Sequence, residues 1–305
     1  MKEKPCFAVL MATYNGSEWL TEQLESILGQ VAVEITVFVS DDSSFDGTQA
    51  ILEQYTRSRP EVQILPQIER RGGAAANFYR LFRDVDFSGY DYVALADQDD
   101  AWLPDKLIRA HQLLVAERIS AYSSNVVAFW TPSRRRLIEK AQPQRRWDYL
   151  FEAAGPGCTY VLTSEVAARF QTFVRTRWEE VCGVGLHDWL LYAFVRSHGE
   201  SWKIDERPSM LYRQHGQNQV GVNMGFQAFM RRVRQVADGW AIAQARLIAN
   251  LVGADRDPSV RQWLYGGRIG LLSLAFHAGE CRRRARDRIW FALSCFALAI
   301  LGERR

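Results

Sequence analysis

Tyr92-Val93-Ala94-Leu95-Ala96-Asp97-Gln98-Asp99-Asp100-Ala101-Trp102 decides how this chain folds. Tyr92 to Leu95 reads as a buried strand, and it runs directly into three carboxylates within four residues. The run leaves through Ala101-Trp102-Leu103-Pro104, with Pro104 suited to the first turn of a helix, so these carboxylates are not the solvated face of a helix. A second apolar run ends the same way, since the β-branched stretch Ile35 to Val39 stops at Asp41-Asp42. In open α/β sheets the ligand binds beyond the carboxyl ends of the strands, which is where both acidic groups fall. Asp97 and Asp99, at i and i+2 on a turn, can offer oxygens to one hard cation and leave its other positions to water and a diphosphate. Such an ion would neutralise a diphosphate as it departs.

Outward from these two strand ends, short apolar runs alternate with amphipathic stretches through about residue 215, the pattern of strands joined by crossover helices. Phe7 to Met11 is the first expected strand. Ser17 is expected to cap a helix carrying Trp19, Leu20, Leu24, Ile27 and Leu28 on one face, ending near Gly29. Asp46-Gly47-Thr48 turns the chain into a helix through Ile51, Leu52 and Tyr55, and Val62 to Leu65 is a third strand. Arg71-Gly72-Gly73 opens a helix containing Asn77, Phe78, Leu81 and Phe82. Further strands are predicted at Asn125 to Trp130, Cys158 to Thr163 and Ser209 to Tyr212, and helices at Ser164 to Val174 and His187 to Ser197. Thr131 to Gln144 reads as a loop. Beyond Gly225 only helices are predicted, at Phe226 to Val236, Trp240 to Val252, Val260 to Phe276 and Ile289 to Leu301. The expected organisation is an α/β domain over residues 1–225 and a helical extension over 226–305.

The 305 residues carry a net charge of only +3, well short of the basic excess that nucleic-acid binding usually shows. The charge is uneven. Arg134 to Arg136, Arg145-Arg146, and Arg282, Arg283, Arg284, Arg286 and Arg288 form clusters that suit either an anionic partner or a solvated face. Five scattered cysteines without a CxxC pair fit a reducing compartment, and Met1 to Pro5 leads into an apolar run too brief for a signal peptide. A cytoplasmic protein is expected. Ile289 to Gly302 is almost wholly apolar and bracketed by arginines; as a helix it would be roughly 21 Å long, short of a bilayer core of roughly 30 Å. Lying peripherally on an anionic membrane surface, docking on its own domain, and pairing in a homodimer all remain open for it.

At the end of the first strand, Thr13-Tyr14-Asn15-Gly16 offers backbone groups and an aromatic ring where a nucleoside could lie, or is simply a turn. Asp41 and Asp42 could accept hydrogen bonds from a pyrimidine N–H and a ribose hydroxyl, or cap the turn before Gly47. Asp188 could project from a helix start into a cleft, or could only complement the helix dipole.

Five ordered motifs together resemble the family 2 glycosyltransferases: Ala12-Thr13-Tyr14-Asn15-Gly16, Ser40-Asp41-Asp42 through Thr48, Ala96-Asp97-Gln98-Asp99-Asp100-Ala101-Trp102, His187-Asp188-Trp189, and Tyr212-Arg213-Gln214-His215-Gly216-Gln217-Asn218. The likeness spans roughly residues 5 to 225. It implies the GT-A fold, a Rossmann-like, nucleotide-binding mixed sheet flanked by helices, here with the C-terminal helical extension. The wording of the last three motifs is most similar to the rhamnosyltransferase branch that builds O-antigen and related polysaccharides from dTDP-rhamnose, with a glycan or lipid-linked saccharide as acceptor. The resemblance implies Asp188 as catalytic base. It implies that Thr13, Tyr14, Asn15, Asp41, Asp42, Asn77, Asp97 and Gln98 contact the nucleotide sugar, and that Asp99 and His215 meet a divalent cation, Mg2+ or Mn2+. Many members place Glu before the base; His187 stands there in this chain and reads as a subgroup mark.

Other readings of the residues are weaker. A non-catalytic nucleotide-sugar scaffold would not need the full acidic set. A nucleotidyltransferase would be expected to carry a Gly-rich, basic phosphate loop after the first strand, where this chain has Ala12 to Ser17. Gln142-Pro143-Gln144-Arg145-Arg146-Trp147 superficially matches the acceptor motif of processive synthases, but it precedes the expected base rather than following it.

Overall fold

The computed structural model describes residues 4–66, 70, 72–131, 133–215 and 239–302. By compactness the chain forms two units, neither continuous in sequence. One comprises Met1–Ala141, Gly155–Asp188 and Gly199–Gly216; the other comprises Gln142–Ala154, Trp189–His198 and Gln217–Arg305. The boundary expected at residue 225 and the helix expected at Phe226 to Val236 lie outside the described residues.

The first unit is built from strands β1 (Cys6–Thr13), β2 (Glu34–Asp41), β3 (Val62–Ile64), β4 (Tyr92–Ala96), β5 (Ala101–Trp102), β6 (Ala121–Ser124), β7 (Val126–Thr131), β8 (Arg134–Ile138), β9 (Val161–Thr163), β10 (Trp202–Asp205) and β11 (Met210–Arg213). Its helices are α1 (Leu20–Leu28), α2 (Thr48–Ser58), α3 (Ala74–Asp84), α4 (Lys106–Glu117), α5 (Ser164–Thr176) and α6 (Trp178–Cys182). Seven strands form one mixed sheet in the order β10-β6-β9-β4-β1-β2-β3, with β1, β2, β3 and β4 parallel and β9 antiparallel to both its neighbours. Phe7 through Thr13 is buried throughout, as expected of a central strand with both faces covered. On one face Val9, Met11, Val37 and Val39 pack with Leu20, Leu24 and Ile27 of α1.

Parallel register fixes the position of the site. Thr13 pairs with Asp41 and Met11 with Ala96, so the loops after β1, β2 and β4 leave the sheet at one edge. A second sheet, β5-β11-β7-β8, closes onto that edge, because Leu211 pairs antiparallel with Ala101 and so sets Tyr212-Arg213 beside the acidic turn.

Several expectations are corrected. Ser17 does not cap α1; its amide and hydroxyl both donate to Asp46 (3.0 and 2.9 Å), and the helix begins at Leu20. The expected loop from Thr131 to Gln144 contains β8, whose arginines are exposed on a hairpin edge and therefore give no alternating pattern. Val260 to Phe276 is broken in two, since Gly267 takes a φ of +59°, a left-handed conformation that ends the preceding helix.

Among the described residues of the second unit, the helices are residues 189–197 of α7 (His187–Ser197), α8 (Trp240–Leu251), α9 (Pro258–Tyr265), α10 (Gly267–Phe276), α11 (Ala278–Cys281) and α12 (Ala285–Leu301). Asp257 caps α9 by accepting from the amides of Ser259 (2.8 Å) and Val260 (3.3 Å), with Pro258 at the first helical position. A Cβ on Gly270 would stand 2.2 Å from the Gln262 carbonyl, so only glycine lets α9 and α10 approach this closely. The arginine run before α12 is not a solvated cluster. Arg283 is buried against Asp148 (3.4 Å) and Glu152 (3.6 Å), while Arg282 donates to the Phe151 carbonyl at 2.6 Å. Among the described residues, no helix is long and apolar enough to cross a membrane.

Candidate active site

The turn after β2 is held almost entirely by Asp41. Its carboxylate accepts from the Thr13 hydroxyl (2.8 Å), the Ser44 hydroxyl (2.6 Å) and amide (2.9 Å), and the Gln49 side chain (3.2 Å). Asp42 accepts from the Gly72 amide at 2.9 Å, which ties the segment before α3 to the end of β2. Asn15 sits in the left-handed region at φ +48°; its amide donates to the Ser44 hydroxyl and its side-chain oxygen accepts from the Phe45 amide. Asp46 accepts from Thr48 and Ser17; burial raises its pKa, but these hydrogen bonds outweigh that and bring it down to about 2.

Asn77 serves the same edge from below. Buried on α3, it donates to the carbonyls of Ser40 (2.7 Å) and Thr13 (3.4 Å), so its amide joins the ends of β1 and β2. Gln98 bridges in the other direction, accepting from the Tyr14 amide (2.8 Å) and donating to the Tyr14 carbonyl (2.9 Å). A Cβ on Gly16 would stand 2.2 Å from the Gln98 side-chain oxygen, so glycine at that position is what lets the two turns interlock.

Asp99 and His215 converge, with His215 Nε2 2.6 Å from an Asp99 carboxylate oxygen. The imidazole is stacked on Trp19 at 4.0 Å, and Arg213 fixes the acidic turn by donating from its amide to Asp100 (3.0 Å) and from its guanidinium to the Asp99 carbonyl (2.8 Å). Beneath them Asp97 and Asp100 lie beside the Cys158 thiol, their ligand atoms within 4.8 Å of one another. Burial, and then the charge of Asp99, push the Asp97 carboxyl up to about 7. The same two causes raise Asp100 well above the usual carboxylate range, and burial raises the Cys158 thiol. Lys106, fully buried under the turn, lies over the Trp102 ring (3.3 Å) and donates to the Cys158 carbonyl (2.5 Å). Burial lowers it to about 7.

These donors sort by chemistry. A carboxylate oxygen and an imidazole nitrogen converging at Asp99 and His215 fit a divalent cation such as Mg2+ or Mn2+. The soft thiol of Cys158, set beside the half-buried Asp97 and the buried Asp100, makes a poor ligand set for a hard cation, so the group formed by Asp97, Asp100 and Cys158 reads as the floor of the site.

Asp188 occupies the first turn of α7, next to His187, which is stacked on Phe78 at 4.0 Å. Its charge acts on Asp97, which places it within electrostatic reach of the acidic turn. Burial depresses the His187 pKa to about 3, leaving the imidazole neutral. A Cβ on Gly157 would come within 2.5 Å of His187 Nε2 and 3.2 Å of the Asp188 Cβ, so Gly157 makes room for both.

Sequence reasoning missed several residues at this edge. Phe45 is exposed on the β2 turn, edge-on to Tyr14 at 6.2 Å, and the Arg70 guanidinium lies over the Tyr14 ring at 4.3 Å. Phe45 could have been found as an aromatic inside an otherwise polar turn; Arg70 carried no signal. Arg71, Gly216, Gln217 and Asn218 lie outside the described residues.

A mixed α/β sheet with carboxylates at its parallel strand ends, closed by a second small sheet, is the GT-A architecture of glycosyltransferases, and the comparisons with known proteins place the chain in that class. The signature of Glycosyl transferase family 2 matches residues 8–175, and the chain belongs to that family. It is 45% identical over 284 residues to the dTDP-rhamnosyl transferase RfbG of Shigella flexneri, covering 93% of this chain and 98% of that protein. It is 32% identical over 120 residues to a putative teichuronic acid biosynthesis glycosyltransferase, TuaG, of Bacillus subtilis, covering 39% and 46% of the two chains. In fold it is similar to S. aureus TarS 1-349, with a TM-score of 0.57 at 15% identity over 96% of this chain and 80% of that one. It is also similar to the mannosyltransferase PcManGT from Pyrobaculum calidifontis, solved with GDP-Man and Mn2+, with a TM-score of 0.52 at 16% identity over 99% and 89%.

Proposed function

We propose that this enzyme is an inverting rhamnosyltransferase that moves L-rhamnose from dTDP-rhamnose to a hydroxyl of a bacterial cell-surface glycan, built as a free or lipid-linked saccharide of the O-antigen type. The observation that carries the reading is the 45% identity to a dTDP-rhamnosyl transferase across 98% of that protein's length. On this reading Thr13, Tyr14, Asn15, Asp41 and Asp42 form the wall against which the nucleoside lies, with Asn77 and Gln98 holding that wall in shape. Asp97 lies under the ribose and diphosphate.

The reaction is a single in-line displacement. Asp188 accepts the proton of the acceptor hydroxyl as its oxygen bonds to the anomeric carbon; the bond from that carbon to the diphosphate oxygen breaks on the opposite face, and dTDP leaves with the electron pair. Configuration therefore inverts. Asp99 and His215 would hold the divalent cation. A bound Mg2+ or Mn2+ supplies positive charge to the diphosphate, where negative charge grows in the transition state.

Donor preference tests the proposal. Release of nucleoside diphosphate is measured for dTDP-rhamnose, UDP-glucose, UDP-galactose and GDP-mannose with Mn2+ present. Turnover of dTDP-rhamnose is expected to exceed the others by about tenfold or more, a difference of about 1.4 kcal/mol in barrier. Preferred turnover of a UDP-sugar would replace the rhamnosyl reading with another hexosyltransferase.

A further inference from the structure

The second unit carries a charge unlike that of the first. Its three segments hold 17 arginines and no lysine against eight carboxylates, a net charge of +9, whereas the first unit carries −6. Arg282 and Arg283 are committed to internal carbonyls and carboxylates, but others mark the ends of an exposed apolar surface.

That surface is the outer side of α10 and α12. Along α12, Cys295, Leu298 and Ala299 are buried, while Trp290, Leu293, Ile300 and Leu301, on the opposite side at helical spacing, are 56%, 51%, 75% and 74% exposed. On α10, Leu271 and Leu274 point inward, and Ile269 and Phe276 are 73% and 79% exposed. The outer stripes adjoin where Phe276 meets Phe296 edge-on at 5.7 Å. From Ile289 to Leu301 α12 gives about 20 Å of helix, apolar on both sides and without a charged residue. Single exposed apolar side chains are ordinary, but a contiguous stripe across two helices marks an interaction surface.

Arginines sit at both ends of the stripe. Arg286 lies one turn before Ile289 on the outer side of α12, exposed and 3.7 Å from Asp287. Arg268 lies at the start of α10, its guanidinium 3.7 Å from where a Cβ on Gly302 would be. This charge pattern chooses between occupants. A second copy would bring +9 against +9 and arginine against arginine. An anionic lipid surface accepts apolar side chains at the acyl boundary and guanidinium groups at its phosphates.

We propose that the outer side of α10 and α12 is a membrane-docking surface, on which the protein lies in the headgroup region of an anionic bilayer without crossing it.

The test is co-sedimentation of the full chain with phosphatidylcholine vesicles with and without phosphatidylglycerol. Three proteins are compared: wild type, Leu293→Glu/Ile300→Glu and Arg268→Glu/Arg286→Glu. All four substituted side chains are at the surface, and release of nucleoside diphosphate from free donor reports that each variant is folded. Wild type is expected to bind anionic vesicles about tenfold or more tightly than neutral ones, with either double variant losing about tenfold or more. Equal binding by wild type and both variants, or no vesicle binding by wild type, would overturn the proposal. So would a wild-type dimer in sedimentation velocity that dissociates in the Leu293→Glu/Ile300→Glu variant, which would assign the surface to a second copy.

Discussion

Asp188→Asn is expected to lower turnover about a thousandfold while leaving dTDP-rhamnose affinity within about threefold of wild type. The substitution keeps the volume of a side chain whose surroundings are tight, since Gly157 leaves room for Asp188 and His187 and for little more. What it removes is the capacity to take a proton. Loss confined to the transition state lowers kcat and leaves ground-state binding in place, so kcat should fall and the donor dissociation constant should not. Single-turnover transfer combined with direct donor titration separates the two. If turnover stayed near wild type, the proton would be going elsewhere; if donor binding fell in parallel, Asp188 would be a binding residue.

Asp148→Ala is expected to destabilise the protein by about 3–5 kcal/mol, the usual cost of removing one partner from a buried ion pair. Asp148 is wholly buried in the second unit. It accepts from the Tyr192 hydroxyl (3.1 Å), the guanidinium of Arg196 (3.2 Å), the guanidinium of Arg283 (3.4 Å) and the Arg145 amide (3.2 Å). Burial raises its pKa even though Arg283 and Arg196 pull it down, so the desolvation cost of this carboxylate is not fully offset by its partners. The large loss in the alanine variant therefore comes from two guanidinium groups, Arg196 and Arg283, that lose their shared carboxylate, with the buried Arg283 left to Glu152 (3.6 Å) and the Ala153 carbonyl (2.6 Å). Pairing Asp148→Ala with Arg283→Met should recover about half of the loss or more, as measured by urea unfolding. Equal losses in the single and double variants would show that the pair carries no such strain.

The strand ends were legible because burial and charge change abruptly there. Ile35 to Val39, partly covered, and Tyr92 to Leu95, fully covered, are strands, and the acids that follow them stand at the sheet edge. Asn77 shows where that reasoning stops. A buried asparagine bracing two carbonyls and one facing a ligand occupy the same helix position in sequence, and only the hydrogen bonds to Ser40 and Thr13 reveal the bracing role. Arg283 and Lys106 are similar. Cationic side chains read as solvated unless their partners, distant in sequence, are known; Asp148 is 135 residues from Arg283, and the carbonyl that holds Lys106 is 52 residues away. The β6 strand was missed because Ala121-Tyr122-Ser123-Ser124 is buried on both faces and shows no apolar alternation.

We propose that Asp99 and His215 hold a cation against the diphosphate of the donor, at the edge of the sheet where β2 ends in Asp41. Titration calorimetry of dTDP into wild type and Asp99→Ala, each with Mn2+ and with chelator, tests it most directly. Wild type should bind dTDP about tenfold or more tightly with Mn2+, and Asp99→Ala should bind equally weakly in both conditions. Identical affinities for the two proteins, with and without Mn2+, would contradict the account.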